Sequence, residues 1–124
     1  MVPQFLNRAM IRGIVGAVKT VSYGDLKAAN FSLCTDYAYT DKEGYPVVET
    51  TWFNINAFQN ENISGETIDK IQKGAWIEIL GRYRARRYVR QDGSEGTTYD
   101  IVANQINVLE PDCSNTIFPE TISQ

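Results

Sequence analysis

The sequence predicts an all-β fold, and three observations carry that expectation. Long segments either alternate apolar with polar side chains or concentrate β-branched residues, as strands do. Clusters of Gly, Pro, Asp and Ser punctuate these segments as turns. A single short segment has helical spacing. A chain of 124 residues, 43% hydrophobic and 22% charged, suits one folded domain around a single core.

The elements follow in order. Leu6 to Val18, "LNRAMIRGIVGAV", reads as a first strand, with Gly13 and Gly16 suited to bends or bulges. Ala28 to Tyr39, "AANFSLCTDYAY", is a second. Its Ala29, Phe31, Leu33 and Tyr37 share one face, and Asn30, Ser32 and Asp36 the other. "TDKEGYP" is a turn containing Gly44 and Pro46, and Val48 to Phe58, "VETTWFNINAF", is a third strand. In "NISGETIDKIQKG", Ser64 is an N-cap, Glu66 lies in the first turn, Ile68 and Ile71 have helical spacing, and Gly74 is a stop. That helix of two or three turns is too short to form a layer and is expected to plug one end of a sheet. Ala75 to Val89 and Thr97 to Leu109 are strands four and five, joined by "RQDGSEG", whose Asp-Gly pair marks a hairpin. Residues 1–110 form the domain on this reading, and 111–124, with Pro111, Pro119 and scattered Ser and Thr, a flexible tail. Five strands with one short helix between the third and fourth is the layout of an OB-fold, a five-stranded Greek-key barrel. The layout alone fits a small sandwich or an SH3-like barrel about as well.

Several functions are excluded or disfavoured by composition. No apolar run approaches the roughly 20 residues that span a bilayer. "MVPQFLNRAM" lacks the layout of a signal peptide. The chain has no histidine, and Cys34 and Cys113 are far apart, which removes the usual Cys/His zinc sites and histidine-based catalysis. The expectation is a cytoplasmic protein in a reducing compartment, with no cofactor, metal or membrane partner. The acids Asp36, Asp41 and Glu49 form no catalytic or metal motif and read as solvated charges.

Charge distribution points elsewhere. The formal net charge is −3, yet all 12 basic residues and all but three of the 15 acids precede Glu110. The exceptions are Glu110, Asp112 and Glu120, so the body is neutral. Within it, "RYRARRYVR", Arg82 to Arg90, holds five arginines, two tyrosines and no acid. Alternation puts Arg82, Arg84, Arg86, Tyr88 and Arg90 on one face, and Ile77, Ile79, Tyr83, Ala85 and Val89 on a face suited to the core. An ordinary solvated strand would mix Lys and Glu. Arginine alone suits planar phosphate contacts and base stacking. In the third strand Trp52 and Phe58 share a face with Asn54 and Asn56, while Phe53, Ile55 and Ala57 share the other. Single-stranded nucleic acid binders combine such aromatics, which stack bases, with cations that track the backbone.

The ordered set "LNRAMIRG", "AANFSLCT", "TDKEGYPVVETTWFNINAF", "KGAWIEILGRYRARRY" and "DGSEGTTYDIVANQINVLE" resembles successive segments of bacterial single-stranded DNA-binding proteins. The resemblance spans about residues 6 to 110. It implies an OB-fold that assembles as a homotetramer, binds single-stranded DNA with little sequence preference in replication, recombination or repair, and is not an enzyme. By position it assigns base stacking to Tyr39, Trp52, Phe58 and Tyr88, with Tyr standing at the first and last where the family usually has Trp. Basic contacts fall on Arg84, Arg86 and Arg87, with Arg82 and Arg90 as local additions, and on Arg8 and Lys42. Asn54 completes the expected surface.

Three departures accompany the resemblance. Phe53 stands where the family commonly has His at a subunit contact. Trp76 is extra, and fits a stacking, edge-packing or interface role. The usual long linker and acidic tip ending in Pro-Phe is replaced by "CSNTIFPETISQ", with Phe118 and Pro119 in the reverse order. The tip-mediated recruitment of replication enzymes is therefore expected to be weak or absent. The alternative reading is an OB-fold interaction module, a primosome-like accessory subunit with marginal DNA binding, which would not need the full aromatic set.

Overall fold

The computed structural model describes residues 3–110. The expectations for the 111–124 tail, including Phe118 and Pro119, lie outside the described residues. Within them are β1 (Ala9–Tyr23), β2 (Leu26–Thr40), β3 (Pro46–Phe58), α1 (Gly65–Asp69), β4 (Trp76–Val89) and β5 (Glu95–Glu110). The strands close into one barrel in the order β1-β2-β3-β5-β4, with β4 returning to pair with β1. β3 and β5 meet in parallel at Ile55–Ile101 and Asn56–Val102, and the other seams are antiparallel. Closure and strand order, with the helix between β3 and β4, define the OB-fold and set aside the sandwich and SH3-like alternatives.

Of the two glycines of β1, Gly16 lies in a bulge, while Gly13 pairs in register with Ile77, where a Cβ would collide with the Cys34 carbonyl. Pairing of β1 with β2 slips between Val15 and Val18. There the freed Ala17 N–H donates to Ser32 Oγ at 3.0 Å. The bulge is also where β1 leaves β4, since the two pair only from Ala9–Gly81 to Ile14–Trp76. β1 therefore begins later and runs further than Leu6 to Val18, ending at Tyr23 in a tight turn that uses Gly24 at φ 61°. The Asp-Gly turn between β4 and β5 forms as expected. Gly93 sits at φ 88°, and Asp92 Oδ1 accepts from the Ser94 amide at 2.9 Å and hydroxyl at 2.6 Å.

Alternate residues fill the barrel. Ile11, Val15, Phe31, Leu33, Ile55, Ala57, Ile77, Ile79, Ile101 and Ala103 form one buried cluster with Ile63, Ile68 and Ile71. Each buried isoleucine contributes about 1.5–3 kcal/mol. Ser64 caps α1 by accepting the Thr67 amide at 3.1 Å, and Ile68 is fully buried, so the segment plugs the barrel end. The helix is shorter than its spacing suggests and ends at Asp69. The Ile71 amide bonds Ile68 O three residues back, which tightens the last turn while still delivering Ile71 to the core. Phe53 is half-buried and packs against the core.

Burial departs from strand parity at five positions. Tyr83, Ala85 and Val89 are exposed, because β4 has lost β1 as a neighbour beyond Gly81 and projects with β5 as a hairpin. Tyr37 is exposed for the same reason, at the outer end of the β2–β3 hairpin. Asn56 keeps the parity of Asn54 and lines the same depression, but it is buried because β5 pairs beside it. Among the described residues no helix is long and apolar enough to cross a membrane, and no cluster of acids or cysteines could hold a metal ion. Asp36, Asp41 and Glu49 each serve local structure. Asp36 accepts from Thr50 at 2.6 Å, Asp41 caps the β2–β3 turn through the Glu43 and Tyr45 amides, each at 2.9 Å, and Glu49 accepts from Tyr39.

Candidate nucleic-acid interface

A groove crosses one side of the barrel. Its larger depression, about 410 Å³, is lined by Ala17 and Lys19 of β1, Asn30 and Ser32 of β2, Asn54 of β3, and Arg86, Thr98 and Asp100 of the β4–β5 hairpin, among others. A smaller one of about 180 Å³ shares Asn30, Asn56 and Arg86, and adds Tyr23, Phe58 and Arg84. The groove thus brings together Asn54, Phe58, Arg84 and Arg86.

The four expected stacking residues are all solvent-facing: Tyr39 is 39% exposed, Trp52 59%, Phe58 48% and Tyr88 43%. Rings of this size normally bury themselves when nothing else is asked of them. Two of them rest on glycine. A Cβ at Gly16 would come within 2.7 Å of Trp52 Cζ3, and one at Gly96 within 2.6 Å of the Tyr88 hydroxyl. Gly96 is the cross-strand partner of Tyr88, and Gly16 belongs to the β1 bulge. Missing side chains therefore let these rings lie against the backbone. Arg90 completes the Tyr88 setting: its Cζ is 5.1 Å from the ring centroid, and Nη2 donates to the tyrosine hydroxyl at 3.1 Å. Nη1 donates to the Glu95 carbonyl at 2.8 Å, so this guanidinium is braced across the hairpin.

Other expected residues lie apart. Tyr39 pairs with Val47 and shares the Tyr37 side of its hairpin, opposite the side carrying Trp52. Its ring is 5.9 Å from that of Tyr37, and the neighbouring Glu49 carboxylate holds its phenol above the usual range. Lys42 is exposed at the hairpin tip. Arg8 is exposed just before β1, beside the start of the arginine run, because Ala9 pairs with Gly81 and Asn7 bonds the Tyr83 backbone. Arg82 is exposed on the side of β4 that carries Arg84. Arg87 faces away, with Tyr83 and Ala85. Trp76 lies partly buried across from Ile14, beside Arg12 and Cys34 and far along β4 from the groove arginines.

Arg84 and Arg86 are not simple free cations. Asp100 accepts from Arg84 Nε at 3.0 Å and Nη2 at 2.8 Å, and Arg86 Nη2 lies 3.3 Å from the same carboxylate. The Asn56 side-chain amide donates to it as well. Arg84 holds the Asp100 carboxyl below the usual carboxylate range against the opposing effect of burial, with Arg86 and Asn56 assisting. Asp100 was not among the sequence candidates, although an acid beside Ile101 in an apolar strand, facing an Arg-x-Arg run, is a legible signal. Lys19, Asn30 and Tyr23 also join the groove. Tyr23, which reads as a loop residue, ends β1 beside Phe58.

The arrangement defines a class: an OB-fold barrel whose one side combines exposed rings, amides and arginines. Residues 6–109 match the Single-strand binding protein family, and the chain belongs to it. The "Single-stranded DNA-binding protein" of Neisseria meningitidis serogroup A is 34% identical over 107 residues, covering 84% of this chain and 60% of that protein. The protein of that name from Staphylococcus aureus strain MRSA252 is 28% identical over 114 residues, covering 89% and 69%. The chain thus spans about 60% of the length of the Neisseria relative. A solved "Plasmodium falciparum SSB complex with ssDNA" superposes with a TM-score of 0.70 at 24% identity, covering 89% of this chain and 98% of that one. The single-stranded DNA binding protein from Thermus aquaticus gives 0.66 at 22% identity, covering 85% and 51%. Both are likenesses of fold. The relatives are named as DNA-binding proteins rather than as enzymes.

Proposed function

We propose that the protein binds single-stranded DNA with little sequence preference, coating it during replication, recombination or repair in the cytoplasm. The observation that carries this reading is a groove that brings exposed Phe58 together with Arg84 and Arg86, with exposed Trp52 on the Asn54 face of β3 and exposed Tyr88 on the Arg86 face of β4. Stacking on each ring is worth about 1–3 kcal/mol per base and accepts any base, because every base has a π-face. Arg82, Arg86 and Arg90 accompany the phosphates, with Arg8 beside the run. Tyr39 and Lys42 extend the path only where it rounds the β2–β3 hairpin to the side opposite Trp52. Family membership supports the reading, and the homotetramer expected of that family is part of the proposal. An interaction module of the primosome kind would have no use for three exposed rings beside bound guanidiniums. The test is titration with poly(dT) at low salt, read by tryptophan fluorescence. Quenching as Trp52 stacks is expected, and no quenching and no mobility shift would end this reading.

A further inference from the structure

A surface that only neutralises phosphate has no need of an acid in its floor, yet Asp100 stands there, 6% exposed. It faces Arg84 across the β4–β5 pair. Its carboxylate gathers groups from two other strands: the Arg84 fork and Arg86 from β4, and the Asn56 amide from β3. The outer parts of both guanidiniums remain open, with the Arg84 side chain 28% and the Arg86 side chain 57% exposed. Both line the depression that also holds Phe58. The three charged groups sum to one positive charge rather than two.

A link between strands made for stability alone would be served as well by an apolar pair, which avoids desolvating a carboxylate. The pairing has a different consequence at a ligand groove. Long arginine side chains lose much rotamer freedom when they bind, and a fork already seated on a carboxylate has lost it beforehand. The same carboxylate cancels part of the charge that draws in phosphate.

We propose that Asp100 is a positioning residue for DNA binding, which holds Arg84 and Arg86 in the groove and sets the charge that they present together to one phosphate instead of two. This rests on the single-strand binding proposed above. The experiment uses the full chain and poly(dT), with affinity measured over a range of salt concentrations. On single strands each neutralised phosphate steepens log K against log[salt] by about 0.7. Asp100→Asn keeps the shape and removes the negative charge, so its slope is expected to steepen by about 0.7. It should bind more tightly than the parent at low salt and more weakly at high salt, where fixed orientation counts for more than charge. Asp100→Glu restores the parent slope. Adding Arg86→Gln to Asp100→Asn also returns the slope to the parent value.

A folded Asp100→Asn with an unchanged slope overturns the proposal. If that variant does not fold, Arg84→Gln, Arg86→Gln and their combination decide. Two arginines presenting one charge together lose about 0.7 in slope whether one or both are replaced, whereas independent phosphate contacts lose twice that in the double variant. Additive losses overturn the proposal. Failure of the parent chain to bind poly(dT) removes the proposed function and this inference together. Binding with unmoved slopes removes this inference alone.

Discussion

Trp52 and Tyr88 differ from incidental surface aromatics in how they are seated. Each lies against a glycine backbone, and Tyr88 also carries Arg90 over its face. Replacing either ring with Ala should weaken binding to oligo(dT) by about 1–3 kcal/mol, read by fluorescence anisotropy. Tyr99→Ala is the control, because Tyr99 is even more exposed but points to the opposite side of β5 from Asp100. Tyr23 would be a poor control, since it sits beside Phe58. Asp100 also carries a pH signature. Its carboxyl titrates lower in the folded chain than in the unfolded one, chiefly because Arg84 bonds the ionised form. The stability this contributes is fully present above the unfolded value of about 3.9 and is lost as pH falls through the lower folded value. Urea unfolding of the parent and of Asp100→Asn should differ most near neutral pH, and the gap should narrow below about pH 3.9. A constant gap would mean that the ion pair contributes nothing.

At the scale of elements, the strands and turns were legible wherever local chemistry decides them. Ser64, the spacing of Ile68 and Ile71, and Asp92-Gly93 all act as their residue types require. Truncating Ile68 to Ala should cost about 2–5 kcal/mol in urea denaturation, because the plug would leave a cavity at the barrel end. What alternation alone could not reveal is where a strand loses its neighbour. Tyr83 and Tyr37 have the parity of core residues, but they lie beyond the positions where the barrel stops covering them. Asn56 shows the converse. Its parity is that of the surface, and β5 buries it by a pairing more than forty residues distant in sequence. Such non-local contacts leave no mark on a single segment.

For the whole molecule, net charge was a poor guide and charge placement a better one, though still incomplete. The arginine run reads as a uniform ladder of cations. The fold divides it into a pair shared with Asp100, a brace at Arg90, an outward-facing Arg87 and an exposed Arg82. About three to five phosphates per chain would be neutralised if the remaining cations engage, giving a salt slope of roughly −2 to −3.5 in the poly(dT) titration. A slope near zero would leave stacking as the whole of the affinity. The seats beneath the rings have one last implication. At Gly16 and Gly96 a single methyl group would collide with Trp52 or Tyr88 without removing any aromatic surface. On the proposed reading, a substitution at either position would displace a ring, and at Gly96 Arg90 as well, and so loosen the hold on DNA while every aromatic and arginine remained in the sequence.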